Sequence, residues 1–105
     1  MTRFVQCASL DEVRQQIDRV DRELVALVAE RGNYVRQAAG FKKTVAEVPA
    51  PQRVAQVLAR VDALAQESGA DPMVVAATWR AMIAAFIEAE QGAHALLHPR
   101  SPQAS

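Results

Sequence analysis

The sequence predicts an all-α fold, with three helices per chain and a long first helix paired in an intertwined homodimer. Apolar residues recur at alternating steps of three and four over most of the chain, the period of a helix face. The prolines before the tail stand only at 49, 51 and 72, which divides the chain into three long proline-free stretches. No segment shows the strict alternation of a half-buried strand, and no internal repeat is present.

The first helix opens at "SLDE": Ser9 followed three residues later by Glu12 is a capping-box pattern. Leu10, Val13, Ile17, Val20, Leu24 and Leu27 then form one apolar stripe, continued by Arg31, Tyr34, Ala38 and Phe41. With no proline before Pro49, the helix is expected to run from about residue 10 to about 43. That length exceeds what a small globule needs and points to pairing between chains. Gly32 and Gly40 fall inside it, each at a cost of about 1 kcal/mol relative to alanine. They read equally well as tolerated defects or as points of close approach.

The segment "TVAEVPAPQ" (44–52) is a loop, and Pro51 suits the first turn of a second helix. Val54, Val57, Leu58, Val61, Leu64 and Ala65 supply its apolar stripe. In "ESGADP" (67–72), Gly69 suits a C-cap, Asp71 an N-cap and Pro72 the first position of a third helix, expected to reach about residue 97. Val75, Trp79, Met82, Ile83, Phe86 and Ile87 form its inward face.

At 105 residues the chain reads as one domain, 1–105, with flexible ends at 1–8 and 98–105. Lys+Arg and Asp+Glu balance at 12 each, so the broad basic field of a nucleic-acid binder is missing and any anion site must be local. Cys7 is the sole cysteine, which excludes an intrachain disulfide and suits a reducing cytoplasm. The opening "MTRFVQCASLDEV" lacks an apolar signal core, and no apolar run is expected to span a membrane.

The charges on the buried seam are the functional clue. On an ideal helix Arg31 and Lys42 point within roughly 20° of each other and stand roughly 16 Å apart along the axis, so long side chains can converge on one small anion. Arg14 is about 25 Å from Arg31 and cannot join it in the same chain. An antiparallel pair of first helices crossing near residue 25 would bring Arg14 of one chain to the Arg31–Lys42 region of the other. On the third helix Glu90 falls within roughly 20° of the centre of the apolar face, and Gln91 lies about 100° further round. A carboxyl there is either paired with a cation or protonated. A ligand-free alternative exists, in which Arg31 pairs with Glu90, and Arg14 with Asp18 or Asp21, to set the register of a helical dimer.

The stretches "VRQQIDRVDRELVALVAERGNYVRQAAGFK", "PAPQRVAQVL" and "FIEAEQ" make the sequence similar to the all-helical chorismate mutases. It is especially similar to their relatives that split isochorismate into salicylate and pyruvate. The resemblance covers most of residues 10–91 and implies a dimer of three-helix chains with shared sites. It implies that Arg14 reaches into the partner's site and that Arg31 binds a second carboxylate of a dianionic substrate. Lys42 would donate to a carboxylate and to the ether oxygen, and Arg53 matches an arginine beside the loop. Val35, Phe86 and Ile87 would line the substrate. A glutamine donor to the ether oxygen is common on the last helix; the ungapped match is Glu90, and a one-residue gap would bring in Gln91. Many mutases carry a glutamate after the loop arginine to bind the substrate hydroxyl, where this chain has Val54.

The leading expectation is therefore a chorismate mutase, with isochorismate-pyruvate lyase second and a non-enzymatic dimerisation module third. The rearrangement is pericyclic and needs no cofactor, nucleophile or metal; holding a reactive conformer and stabilising the ether oxygen suffice. His94 and His98 have the i, i+4 spacing of a metal pair but sit at a helix end without an HExxH motif, so no metal is expected.

Overall fold

The computed structural model describes residues 4–97. It comprises α1 (Leu10–Gly40), a 3₁₀ turn (Val45–Glu47), α2 (Pro51–Ser68) and α3 (Pro72–Leu97). No strand occurs among the described residues.

α1 starts where the capping box predicts. Ser9 has extended backbone and its Oγ accepts the Glu12 N–H at 3.1 Å. The Glu12 carboxylate reaches back to the Ala8 N–H at 2.7 Å, one residue beyond the usual cap partner. α1 ends at Gly40, about three residues before the expected end. The N–H groups of Phe41 and Lys42 turn back to the carbonyls of Ala38 and Ala39, each at 3.1 Å, tightening the last turn. Lys42 therefore lies beyond the helix, and its position depends on this terminal turn rather than on the helical line.

Pro51 opens α2 as expected. The residue before it is unusual: Ala50 adopts φ 39° and ψ 66°, left-handed backbone wedged between two prolines. A residue with a Cβ pays about 1–2 kcal/mol there. Gly69 closes α2 at φ 75°, and the Ala70 N–H reaches the Ala65 carbonyl at 2.9 Å. Asp71 Oδ1 accepts the Met73 N–H at 2.9 Å and so caps α3.

α3 is the shared partner, packing on α2, on α1 and on the 3₁₀ turn. Among the described residues the buried apolar ones are Ala39, Val48, Val61, Ala65 and Ile83. The stripe on the N-terminal two-thirds of α1 is left uncovered. Leu10, Val13, Ile17, Val20, Leu24 and Leu27 are each 39–60% exposed. The molecule is correspondingly long, 66 × 26 × 21 Å.

One sequence expectation needs correction. Pro72–Gly92, 21 residues of mean hydropathy 1.3, is long and apolar enough to cross a membrane by length and composition. Its alanines and valines raise the average while Arg80, Glu88 and Glu90 interrupt it, and only 6% of its apolar window is buried within this chain. Packing on both other helices is the alternative use of that apolarity.

Candidate active site

The C-terminal third of α1, the loop 42–50, the start of α2 and the second half of α3 enclose a cavity of about 300 Å³. That is the low end of the range for small-molecule sites. Its wall includes Arg31, Val35, Lys42, Arg53, Phe86, Ile87 and Glu90. The remaining lining is largely apolar, with Val54, Val57 and Ile83 prominent.

Lys42 and Glu90 form the polar centre. Lys42 Nζ donates to Glu90 Oε1 at 2.8 Å and to the Val48 carbonyl at 3.2 Å. The Glu90 side chain is 5% exposed and that of Lys42 23%, so this ion pair is largely withdrawn from water. Such a pair holds together because each ion is costly alone. Val48 is almost fully buried, and its carbonyl fixes the ammonium from the loop side. Arg31 does not pair with Glu90. Its guanidinium carbon lies 5.5 Å from the centre of the Phe86 ring, a cation–π arrangement. Among the described residues the ion pairs are Lys42–Glu90 and the surface pair Arg19–Glu23 at 3.0 Å.

Glu90, not Gln91, faces the cavity, since one helical step turns the next side chain away by about 100°. Gln91 is half-buried and outside the cavity wall. Arg14 is exposed on α1 and lines no part of this chain's cavity. The side chain of His94 and all of His98 lie outside the described residues.

Residues 13–91 match the family model for type II chorismate mutase. The chain belongs to the type II chorismate mutase family. It is also similar to the isochorismate pyruvate lyase of Pseudomonas aeruginosa strain PAO1, with 38% identity over 85 residues. The match spans 81% of this chain and 83% of that protein. Among the described residues the fold is all-helical with three α-helices, consistent with that family.

Some wall residues carried no sequence signal. Tyr34 and Ala38 read only as seam positions, and Val48 only as part of a loop. Val48 had one legible trait, an apolar side chain directly before the proline pair of "VPAP".

Proposed function

We propose that this chain is an enzyme that breaks the enolpyruvyl ether of a small dianionic cyclohexadiene, and that its preferred reaction is elimination of pyruvate from isochorismate. The observation that carries the choice of substrate is the wall at Arg53–Val54. Val54 offers an apolar surface where a mutase would present a carboxylate to the chorismate hydroxyl. A substrate whose hydroxyl sits elsewhere on the ring meets no unfilled demand there. Similarity to a relative named as an isochorismate pyruvate lyase supports the same choice.

In this reaction the hydrogen on the hydroxyl-bearing ring carbon passes to the enolpyruvyl methylene as the ether C–O bond breaks. The ring becomes aromatic and the fragment leaves as pyruvate. No covalent intermediate is required. Arg31 and Arg53 supply charge for carboxylates, and Lys42 stabilises the charge that grows on the ether oxygen. The apolar remainder of the cavity holds the side chain over the ring.

The second reading is rearrangement of chorismate, favoured by the family match and by Glu90 next to Lys42. There the methylene bonds to the carboxylate-bearing ring carbon as the same C–O bond breaks. Glu90 would donate to the ether oxygen only as a carboxylic acid, since the ionised form only accepts.

Both readings use a homodimer, supported by the exposed stripe on α1 and by the absence of Arg14 from the wall of its own cavity. The partner's copy of Arg14 would complete each site. The deciding experiment incubates purified protein with isochorismate and with chorismate separately and identifies the products. Salicylate with pyruvate is expected from isochorismate. Prephenate alone would install the mutase reading, and no turnover of either would leave a dimerisation module.

A further inference from the structure

Gly32 is buried on α1 opposite Phe86 of α3. A Cβ built there would meet Phe86 Cε1 at 2.9 Å and Cζ at 3.3 Å. The first distance is shorter than packed carbons tolerate, so the Phe86 ring occupies the space that the glycine leaves. Gly40, in the same helix, has nothing within 4 Å of the equivalent point. The same ring faces the Arg31 guanidinium at 5.5 Å and forms part of the cavity wall. Gly32, Phe86 and Arg31 thus form a chain of contact in which one missing methyl group sets the depth of a ring, and the ring sets the place of a cation.

We propose that Gly32 is a positioning residue for the anion site: the space left by its missing side chain seats the Phe86 ring against α1, and the ring holds Arg31 at the cavity wall. The catalytic part of this rests on the function proposed above; the geometric part does not. Phe86 meets Gly32 with the far end of a rotatable side chain, so a methyl group at position 32 is accommodated by swinging the ring rather than by breaking the helix. The cost then falls chiefly on ligand binding, the lost ring contact being offset in folding by the better helix former.

The test follows the Arg31 side chain by NMR, using the Nε–Hε resonance of the ligand-free protein, assigned by its loss in Arg31→Lys. That proton feels the ring current of Phe86. Gly32→Ala is expected to move the resonance toward its position in Phe86→Leu, with little change in melting temperature. An Arg31 resonance unmoved by Gly32→Ala overturns the proposal, whether or not the protein turns over any substrate. With isochorismate or chorismate, whichever the wild type converts, Gly32→Ala should raise KM about tenfold or more and change kcat less, the mark of a displaced binding group. Adding Gly32→Ala to Phe86→Leu should cost nothing further, because the ring it displaces is already gone. A further loss in that double variant counts against the proposal, and this comparison decides the matter even if Gly32→Ala alone fails to fold. Wild-type inactivity on both substrates would sink the functional reading while leaving the NMR result to judge the positioning role.

Discussion

The two ends of α1 meet different fates, although the apolar stripe stays exposed at Tyr34 and Phe41 as well and the covered face is a separate one. Toward its C-terminus, α1 is covered by α3, with Gly32 and Ala39 buried and a cavity at the join. Toward its N-terminus the stripe from Leu10 to Leu27 faces outward. Periodicity reports that a face needs a partner and is silent on which chain supplies it. The difference also separates two kinds of charge: Lys42 has an internal counterion in Glu90, whereas Arg14 stands exposed on the uncovered half.

The sharpest way to break this contrast is to place a charge on the uncovered half. Leu24→Asp should dissociate the proposed dimer and abolish turnover, because a buried unpaired carboxylate costs several kcal/mol. Sedimentation measures the first effect and product formation the second. If the variant sediments and works like wild type, that half of α1 is ordinary surface. Mixing sharpens the test: Arg14→Ala and Arg31→Ala chains, each inactive alone, should regain one complete site per mixed dimer. Failure to recover activity on mixing counts against a shared site.

Charges at the covered end should behave differently. Arg31→Ala is expected to lower kcat/KM by about 10²–10³ with the dimer intact. Lys42→Ala should lose as much activity and also stability, by about 2 kcal/mol, because it strands the Glu90 carboxylate in a site largely closed to water. Adding Glu90→Gln to Lys42→Ala should return stability, read from thermal melts, without returning turnover. Recovery of both would make the pair purely structural.

A smaller effect is expected at Glu90 itself. If position 90 donates to the ether oxygen, Glu90→Gln, whose amide always carries a donor, keeps or raises turnover of chorismate at neutral pH. Loss of that turnover in Glu90→Gln would remove position 90 from the donor role; Gln91→Ala is then the variant to compare. The smallest effect separates the two glycines of α1. Gly40→Ala, with open space around it and no positive φ, should stabilise by up to about 1 kcal/mol and leave turnover alone. An equal stabilisation in Gly32→Ala would mean that the Phe86 contact costs nothing to displace.

Much of the fold was legible because its signals are local. The caps at Ser9, Gly69 and Asp71 and the proline at position 51 mark helix ends through hydrogen bonds a few residues long. The end of α1 was misplaced because no proline or left-handed glycine announces it; the chain simply tightens at Phe41. In the candidate site, the inward direction of Glu90 follows from helix geometry, but its partner does not. Lys42 reaches Glu90, 48 residues away, only because the loop folds Val48 beneath it. The sequence raised close approach at Gly32 and could not name Phe86, since the angle between α1 and α3 is a property of packing.

The uncovered stripe on α1 also bears on the order of events during synthesis. α1 leaves the ribosome first, with its apolar face complete while α2 and α3 are still unmade. Two nascent chains on one message can therefore meet through that face before either has a cavity. In the proposed dimer, a chain with a lesion confined to α3 would still recruit a sound partner and lend it Arg14, so the sound chain's site would survive, whereas a lesion in the stripe would leave the sound chains to find one another. Defects in either place should thus behave as recessive in a mixed population, but only those in α3 should leave mixed dimers to be found.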